Sequence, residues 1–133
     1  MNDDLFDRGL AIRKAVLGAE FVEKSLASAD EFTMPLQQLV TEYCWGAVWG
    51  REELPKRIRS MLNIAMLSVL NRPNELKVHV AGALRNGVSK TEIREVLLQV
   101  AIYAGVPCSV DSFRVARESI AEYERTQAEG SAG

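Results

Sequence analysis

The sequence NRPNELKVHVAGALRNG at residues 71–87 predicts one complete helix together with the signals that begin and end it. Pro73 suits the first turn of a helix, and Gly87 is typical of a helix C-terminus. Glu75 and His79, the chain's single histidine, are four residues apart and therefore share a helix face. A carboxylate beside an imidazole orients it and raises its pKa towards neutrality, which favours proton transfer near pH 7. The same spacing also occurs in ordinary surface and interface contacts, so other residues must decide between the two interpretations.

Helical patterns continue on both sides of this stretch and predict an all-α protein of about six to seven helices. Apolar residues recur at the spacing of a helix face, and no strand-like alternation of useful length occurs. Ser89 and Glu92 form a capping box, Asp30 suits an N-cap, and residues 45–50 predict a helix end and a loop. The predicted helices cover residues 4–17, 19–27, Asp30 to near Gly46, 54–70, 73–86, 89–105 and 107 to about 125.

Length and composition limit the class of protein. A chain of 133 residues predicts one helical domain, residues 1–126, followed by a small polar tail, residues 127–133, that we expect to be flexible. A net charge of -2 argues against nucleic acid as a partner. The apolar run Met61 to Leu70 is too short to cross a bilayer, and the acidic N-terminus lacks the pattern of a signal peptide. We therefore expect a cytoplasmic protein without a membrane partner.

The two cysteines argue against a redox centre. Cys44 and Cys108 lie far apart in the sequence and form no Cys-x-x-Cys pair. With a single histidine, a Cys/His zinc site would require both cysteines and additional carboxylates, so no metal site is predicted. We expect each cysteine to be a small buried hydrophobic residue.

Two predicted helices, Ser60 to Leu70 and Glu95 to Ala104, are apolar nearly all the way round. A small domain cannot surround many such helices by itself, so we expect one or both to bury surface against another subunit. The alternative is an unusually central pair of helices within one monomer. The pattern favours a homo-oligomer.

Short motifs spread along most of the chain complete the sequence evidence. They are GLxxR at 9–13, VLG at 16–18, VxxSL at 22–26, WGxxW at 45–49, LPxxIRS at 54–60, ELxxH at 75–79, ALxNGV at 83–88, EIxE at 92–95 and YAGVP at 103–107. In this order they resemble the carboxymuconolactone decarboxylase family. The resemblance implies an all-helical, alkylhydroperoxidase-like fold in a ring-like homo-oligomer, commonly a hexamer, without a metal or an organic cofactor.

The resemblance also implies a cofactor-free carboxy-lyase that acts on a carboxylated butenolide such as 4-carboxymuconolactone, in the catabolism of aromatic compounds. Loss of carbon dioxide leaves electron density on the lactone carbonyl, so the site needs a cation or donor there and an acid that reprotonates carbon. By family position Arg59 is the expected anion anchor or oxyanion donor, although a structural ion pair at a helix junction is an equal alternative. Arg57 or Arg85 would hold a second carboxylate. His79, oriented by Glu75, is the candidate proton donor.

Three aromatic side chains complete the candidate substrate site. Trp45, Trp49 and Tyr103 lie within motifs of the resemblance. The two tryptophans are expected mainly in the core or an interface, with substrate contact as the alternative. If His79 is not the acid, the role falls to Tyr103, Glu42 or a bound water.

Two other classes of function remain as alternatives. The first is a thiol- or peroxide-linked oxidoreductase, because the superfamily contains alkylhydroperoxidases with Cys-x-x-Cys and a histidine four residues later. Counting back from His79, those positions hold Glu75 and Arg72, and the glutamate of that branch falls near Ser60. The second alternative is a helical assembly module that has lost its site.

Four positions depart from the decarboxylase pattern. Phe21 stands where a histidine is usual, Ala47 where a glutamate is common, Val110 where an asparagine is usual, and Cys108 where alanine is common. The loss of a histidine and a carboxylate removes two candidate acid–base groups. The pattern therefore predicts either a less polar substrate or a related reaction, such as enolisation or isomerisation.

Overall fold

Helices account for nearly all of the structure. The computed structural model describes residues 3–132, and within that range it contains no β-strand, which confirms the predicted all-α class. The elements are α1 (Asp3–Leu17), α2 (Ala19–Ala27), α3 (Met34–Leu39), a π-helical segment (Val40–Val48), α4 (Lys56–Val69), α5 (Pro73–Arg85), α6 (Lys90–Ala104) and α7 (Val106–Ala132). No helix in the described range is long and apolar enough to cross a membrane.

The chain forms two compact units, which divide between Lys56 and Arg57. In the N-terminal unit, α1 packs against the π-helical segment at very short range. A Cβ atom added to Gly9 would overlap with the carbonyl oxygen of Thr41, and one added to Gly46 would lie 2.7 Å from the carbonyl oxygen of Leu5. Because higher residue numbers on α1 meet lower numbers on its partner, the two elements are antiparallel. Only glycine permits this close approach of two backbones.

The helix end predicted within residues 45–50 lies at Val48 and is followed by a turn at 49–50, but the helix is π-helical there and runs past Gly46, near which we expected it to stop. The helix continues to Val48, and the Trp49 amide donates to the carbonyl oxygen of Cys44 at 2.9 Å, five residues earlier. Gly46, which suggested a helix end, instead lies at the contact with α1. Trp45 and Trp49 are buried with 3% exposure each, and their rings stack with centroids 4.7 Å apart. Tertiary packing thus keeps this glycine inside a helix.

Asp30 caps a turn rather than the helix predicted to begin there. Its Oδ1 accepts hydrogen bonds from the amides of Phe32 and Thr33, each at 3.0 Å. The hydrogen bond from the Thr33 amide is the largest of the interactions that lower the pKa of Asp30. The helix itself begins at Met34, with Thr33 as its N-cap.

In the C-terminal unit, α5 and α6 both pack against α7. The capping box predicted at the start of α6 is confirmed, because the Ser89 hydroxyl accepts from the Glu92 amide at 3.0 Å and the Glu92 carboxylate accepts from the Ser89 amide. The buried hydrophobic core of this unit consists of Ile64, Leu76, Val80, Ala83, Val88, Ile93, Leu97, Val115 and Ala116.

The last helix is longer than the sequence predicted. We expected α7 to end near Arg125, but it continues to Ala132 with its final turns exposed. Gly130 does not end it, since a glycine inside a helix lowers its stability without breaking the backbone hydrogen bonds. The division into a domain at 1–126 and a flexible tail at 127–133 stays a prediction, and Gly133 lies outside the described residues.

The packing of α1 predicts that Gly9→Ala destabilises the protein. The new methyl group would overlap with the backbone at Thr41, so the helices must separate, at a cost of about 2 kcal/mol. The matched control is Gly130→Ala, since a Cβ atom there meets nothing within 4 Å. We expect this control to leave the free energy of unfolding unchanged or slightly higher, measured by urea denaturation. Equal stability of the two variants would contradict the close packing of α1.

Candidate functional site

His79 lies on α5, one turn after Glu75. On the same helix, Leu76 and Val80 are buried in the hydrophobic core, whereas Glu75 is exposed to solvent. His79 itself is partly buried. Burial lowers the pKa of His79 from 6.5 to about 4, and the negative charge of Glu75 opposes this shift only in part. The predicted rise of this pKa towards neutrality is therefore wrong, because desolvation outweighs the carboxylate. In the free protein, His79 is neutral at pH 7.

Arg59 lies near the beginning of α4 and is partly buried. The next residue, Ser60, is fully buried, and its hydroxyl accepts a hydrogen bond of 2.9 Å from the side-chain amide of Asn86. Asn86 is the C-cap of α5, the helix that carries His79. This hydrogen bond fixes the beginning of α4 against the end of α5. Ser60 lies near the position at which the alkylhydroperoxidases of the superfamily would carry their glutamate.

The two other predicted arginines already have partners. Arg57 forms an ion pair with Glu92, which links α4 to the first turn of α6. Arg85 is exposed, and its guanidinium carbon lies 5.6 Å from the centroid of the Tyr123 ring on α7. Neither contact prevents an anion from binding, but each occupies part of the guanidinium. Both residues stay predictions as carboxylate ligands.

The aromatic residues differ widely in exposure. Tyr103 is 83% exposed at the end of α6 and lines a mainly apolar groove of about 800 Å³ between α4 and α6. Trp45 and Trp49, in the N-terminal unit, are buried. The expectation that the tryptophans belong to the core is confirmed. Contact of any of the three with substrate stays a prediction.

The cysteines are both free thiols, and they differ in burial. Cys108 is partly buried and its Sγ donates to the carbonyl oxygen of Gly105 at 3.2 Å. Cys44 is exposed as a residue, so the prediction that it would be buried is wrong. Desolvation of its thiol raises the pKa of Cys44, and Arg13 opposes this only in part. A raised thiol pKa lowers the thiolate fraction at pH 7 and so disfavours thiol chemistry at Cys44.

Sequence reasoning missed Arg13, a buried polar residue of the N-terminal unit. Arg13 on α1 is only 6% exposed, and its Nη1 donates to Oε1 of Gln37 at 2.9 Å and to Oγ1 of Thr41 at 3.2 Å. Glu42 is 7% exposed, and its Oε1 accepts no hydrogen bond. The available signal was the spacing of Gly9 and Arg13, which places the arginine on the face of α1 that packs most closely.

No arrangement for a metal occurs in the part of the chain that the structure describes. Residues 3–132 contain no group of three or more histidine, cysteine, aspartate or glutamate side chains positioned to hold an ion. Several carboxylates are instead held in ion pairs, as Glu92 is with Arg57 and Glu122 is with Lys77. The arginines can bind an anion, and an imidazole can transfer a proton once it is protonated.

Comparison with known proteins identifies the class. The model of the carboxymuconolactone decarboxylase family matches residues 35–118, and this protein belongs to that family.

Particular relatives extend the likeness over most of the chain. The protein is 40% identical over 129 residues to the nitrosuccinic acid decarboxylase of Metarhizium robertsii, and the matched region covers 92% of this chain and 90% of that protein. It is 38% identical over 119 residues to the 4-carboxymuconolactone decarboxylase of Acinetobacter baylyi, covering 89% of each. An uncharacterised 15.0 kDa protein of Paracoccus denitrificans is 31% identical over 68% of this chain and 67% of its own length.

The burial of His79 predicts an unusual titration. Its ring-proton NMR signal, unambiguous because the chain has one histidine, should stay at the neutral position down to about pH 5. Because the unfolded chain binds this proton with a pKa near 6.5, unfolding takes up a proton between pH 6.5 and 4. The free energy of unfolding should therefore fall as the pH is lowered through this window, by on the order of 3 kcal/mol. A midpoint above pH 6 would contradict the desolvation of His79.

Proposed function

We propose that this protein is a cofactor-free decarboxylase, or carboxy-lyase, that acts on a small carboxylated molecule. The observation that carries the proposal is the identity of about 40% to two proteins named as decarboxylases, over roughly nine-tenths of the chain. A carboxylated butenolide such as 4-carboxymuconolactone is the first candidate substrate. Aromatic-compound catabolism and a cytoplasmic location belong to the same proposal and rest on the sequence predictions.

The reaction chemistry fits the groups on α4 and α5. When the bond between the carboxylate carbon and its neighbour breaks, carbon dioxide leaves and the electron pair moves onto an acceptor group. In a butenolide the acceptor is the lactone carbonyl, and in nitrosuccinic acid it is the nitro group. Arg59 is the proposed donor to this developing negative charge. A proton must then be delivered to carbon, and His79 is the proposed source.

The low pKa of His79 determines when it can act. In the free protein the imidazole is neutral at pH 7 and holds no transferable acidic proton. A bound substrate anion raises this pKa, as the charge of Glu75 also does. We therefore propose that the imidazole of His79 becomes protonated when the substrate binds. Glu75 keeps the ring oriented. On this proposal, the pH dependence of kcat/KM reports the pKa of His79 in the free protein, and the pH dependence of kcat reports its higher pKa in the substrate complex.

Arg57 and Arg85 are proposed to hold a further carboxylate of the substrate. Arg57 is the weaker candidate, because it shares its guanidinium with Glu92. Phe21 and Ala47 place apolar groups where acid–base groups are usual in the decarboxylase pattern. These two residues support a substrate with fewer polar groups than 4-carboxymuconolactone, or a related enolising reaction.

Self-association forms part of the proposal. The groove between α4 and α6 is mainly apolar, and the large side chains exposed along it or beside it include Leu62, Met66, Val69, Leu98, Ile102 and Tyr103. A surface of this kind is typical of a protein interface. We propose that a second copy of the chain covers it, in a homo-oligomer. A hexamer is favoured by the family resemblance alone.

Substitution of the three proposed catalytic residues tests the mechanism. With a carboxylated butenolide as substrate, His79→Gln should lower kcat by about 10²–10⁴-fold, the usual contribution of general acid catalysis. Glu75→Gln should cost less, because the imidazole remains. Arg59→Ala should raise KM if the side chain anchors a carboxylate, and lower kcat if it stabilises the transition state. The matched control is Glu129→Gln, an exposed residue of α7, which should retain full activity.

All variants should keep the mass of the unmodified protein in light scattering. A mass of one chain, 14.7 kDa, at micromolar concentration would contradict the proposed oligomer. Undiminished turnover by His79→Gln would remove the assignment of His79 as proton donor.

A further inference from the structure

A second groove lies in the C-terminal unit, between α6 and α7. Its volume is about 650 Å³, within the range of pockets that bind small organic molecules. The residues that line it extend along α7 from Phe113 to Glu124, a length of about 16 Å at the rise of an α-helix. None of the residues to which the proposed decarboxylation assigns a role lines this groove. A ligand bound here would therefore have a site of its own.

The groove has an apolar lining that is continuous with the hydrophobic core. Ile93, Leu97 and Ala116 are core residues of this unit, and Phe113 and Ile120 pack against that core. Because packing holds these side chains, the lining exists before a ligand arrives. Phe113 and Ile120 are only partly buried, so they offer apolar surface that a ligand can remove from water.

Positive charge surrounds this apolar lining. Four cationic side chains line the groove, and Glu124 is the one carboxylate among the lining residues. The whole chain, by contrast, has a net charge of -2. The local charge is thus opposite in sign to that of the protein, which favours an anionic ligand over a neutral or cationic one. The four cations are Lys90, Arg94, Arg114 and Arg117.

Two of these cations are available to a ligand. Arg117 is exposed and has no ion-pair partner within residues 3–132. Arg114 approaches Asp111 at 3.9 Å and Glu118 at 4.0 Å, and all of these side chains are exposed. Exposed ion pairs contribute little free energy, so Arg114 can exchange them for a bound anion. Arg114 and Arg117 are three residues apart on one helix, so both guanidinium groups can contact the same anion.

The groove between α4 and α6 shows that this charge pattern is not a general property of the apolar surfaces. That groove is also mainly apolar, but its charged lining residues are the carboxylates Glu92 and Glu95, without a cation. It is the surface proposed above for contact with a second copy. A ligand that combines an apolar body with a negative charge should therefore distinguish between the two grooves.

From these observations we propose that the groove between α6 and α7 binds a small amphipathic carboxylate. Its apolar body packs against Phe113 and Ile120, and its carboxylate lies between Arg114 and Arg117. Planar guanidinium groups match the two oxygens of a carboxylate. The lining requires an aliphatic or aromatic body and the cations require an anionic head, so a molecule with only one of these parts binds weakly. This site goes beyond the proposed decarboxylase function and does not rest on it.

Octanoate is the probe for the test, and 1-octanol is its uncharged counterpart with the same chain length. The readout is the NMR spectrum of the isoleucine δ1 methyl groups, because Ile93 and Ile120 line this groove whereas Ile58 lines the groove between α4 and α6. We expect octanoate, below its micelle concentration, to shift the Ile93 and Ile120 signals saturably and to leave Ile58 unchanged. The affinity for 1-octanol should be weaker by about tenfold or more, because the charge-assisted hydrogen bonds are lost.

Substitution of the two arginines tests the contact with the carboxylate. The double variant Arg114→Gln/Arg117→Gln should fold normally, since both side chains are exposed. It should bind octanoate about tenfold more weakly and 1-octanol with unchanged affinity. The matched control is Arg125→Gln, an exposed residue of the same helix that does not line the groove, and it should keep the octanoate affinity of the unmodified protein.

Four outcomes would overturn the proposal. The first is equal affinity for octanoate and 1-octanol, or undiminished octanoate affinity in the double variant. The second is an equal shift of the Ile58 and Ile120 signals, which would show unspecific binding to apolar surface. The third is a change of the Ile120 signal with protein concentration alone, which would assign the groove to a second copy of the chain. The fourth is a shift of that signal by vesicles that contain phosphatidylglycerol, which would assign the groove to a membrane surface.

Discussion

Desolvation of ionisable side chains is the constraint on which both polar sites of this protein depend. Histidine and arginine respond to it differently. Burial removes the charge of His79, whose pKa falls to about 4, because a neutral imidazole is stable in an apolar environment. Burial cannot remove the charge of Arg13, although it lowers the pKa of that guanidinium too. His79 is therefore neutral at pH 7, whereas Arg13 retains its positive charge inside the packed helices.

Close helix packing creates this desolvation. In the N-terminal unit, Gly9 and Gly46 allow two backbones to meet, and the side chain of Arg13 is enclosed one turn further along α1. In the C-terminal unit, α5 buries Leu76 and Val80 on either side of His79. Both side chains lie at the edge of a packed apolar surface.

Local signals in the sequence predicted most helix positions correctly. The breaks at Gly18, at 71–72 and at Gly87 depend on residues that act through their own backbone, and the capping box at Ser89 requires only residues three apart. The prediction failed where distant packing decides. Gly46 indicates a helix end when only its neighbours are considered, yet it lies inside a helix because α1 packs against it.

The candidate sites show the same limit. The helical spacing of Glu75 and His79 was enough to place them on one helix face. Arg59 was predicted as an anion anchor or oxyanion donor through the family resemblance alone. The direction of the His79 pKa shift was not predictable, because it depends on how much water the fold removes. The burial of Arg13 was missed for the same reason. A sequence shows which side chains carry charge, whereas the loss of a counter-ion or of water is a property of the packed structure.

Carbon dioxide release from 4-carboxymuconolactone by the unmodified protein in deuterium oxide is the most direct test of the central claim. We predict one equivalent of carbon dioxide and one deuterium on carbon in the product, because the electron pair left by the departing carboxylate is quenched by a proton that exchanges with solvent. Nitrosuccinic acid should be assayed in parallel, as the substrate named for a relative. A folded protein that releases carbon dioxide from neither compound would contradict the claim.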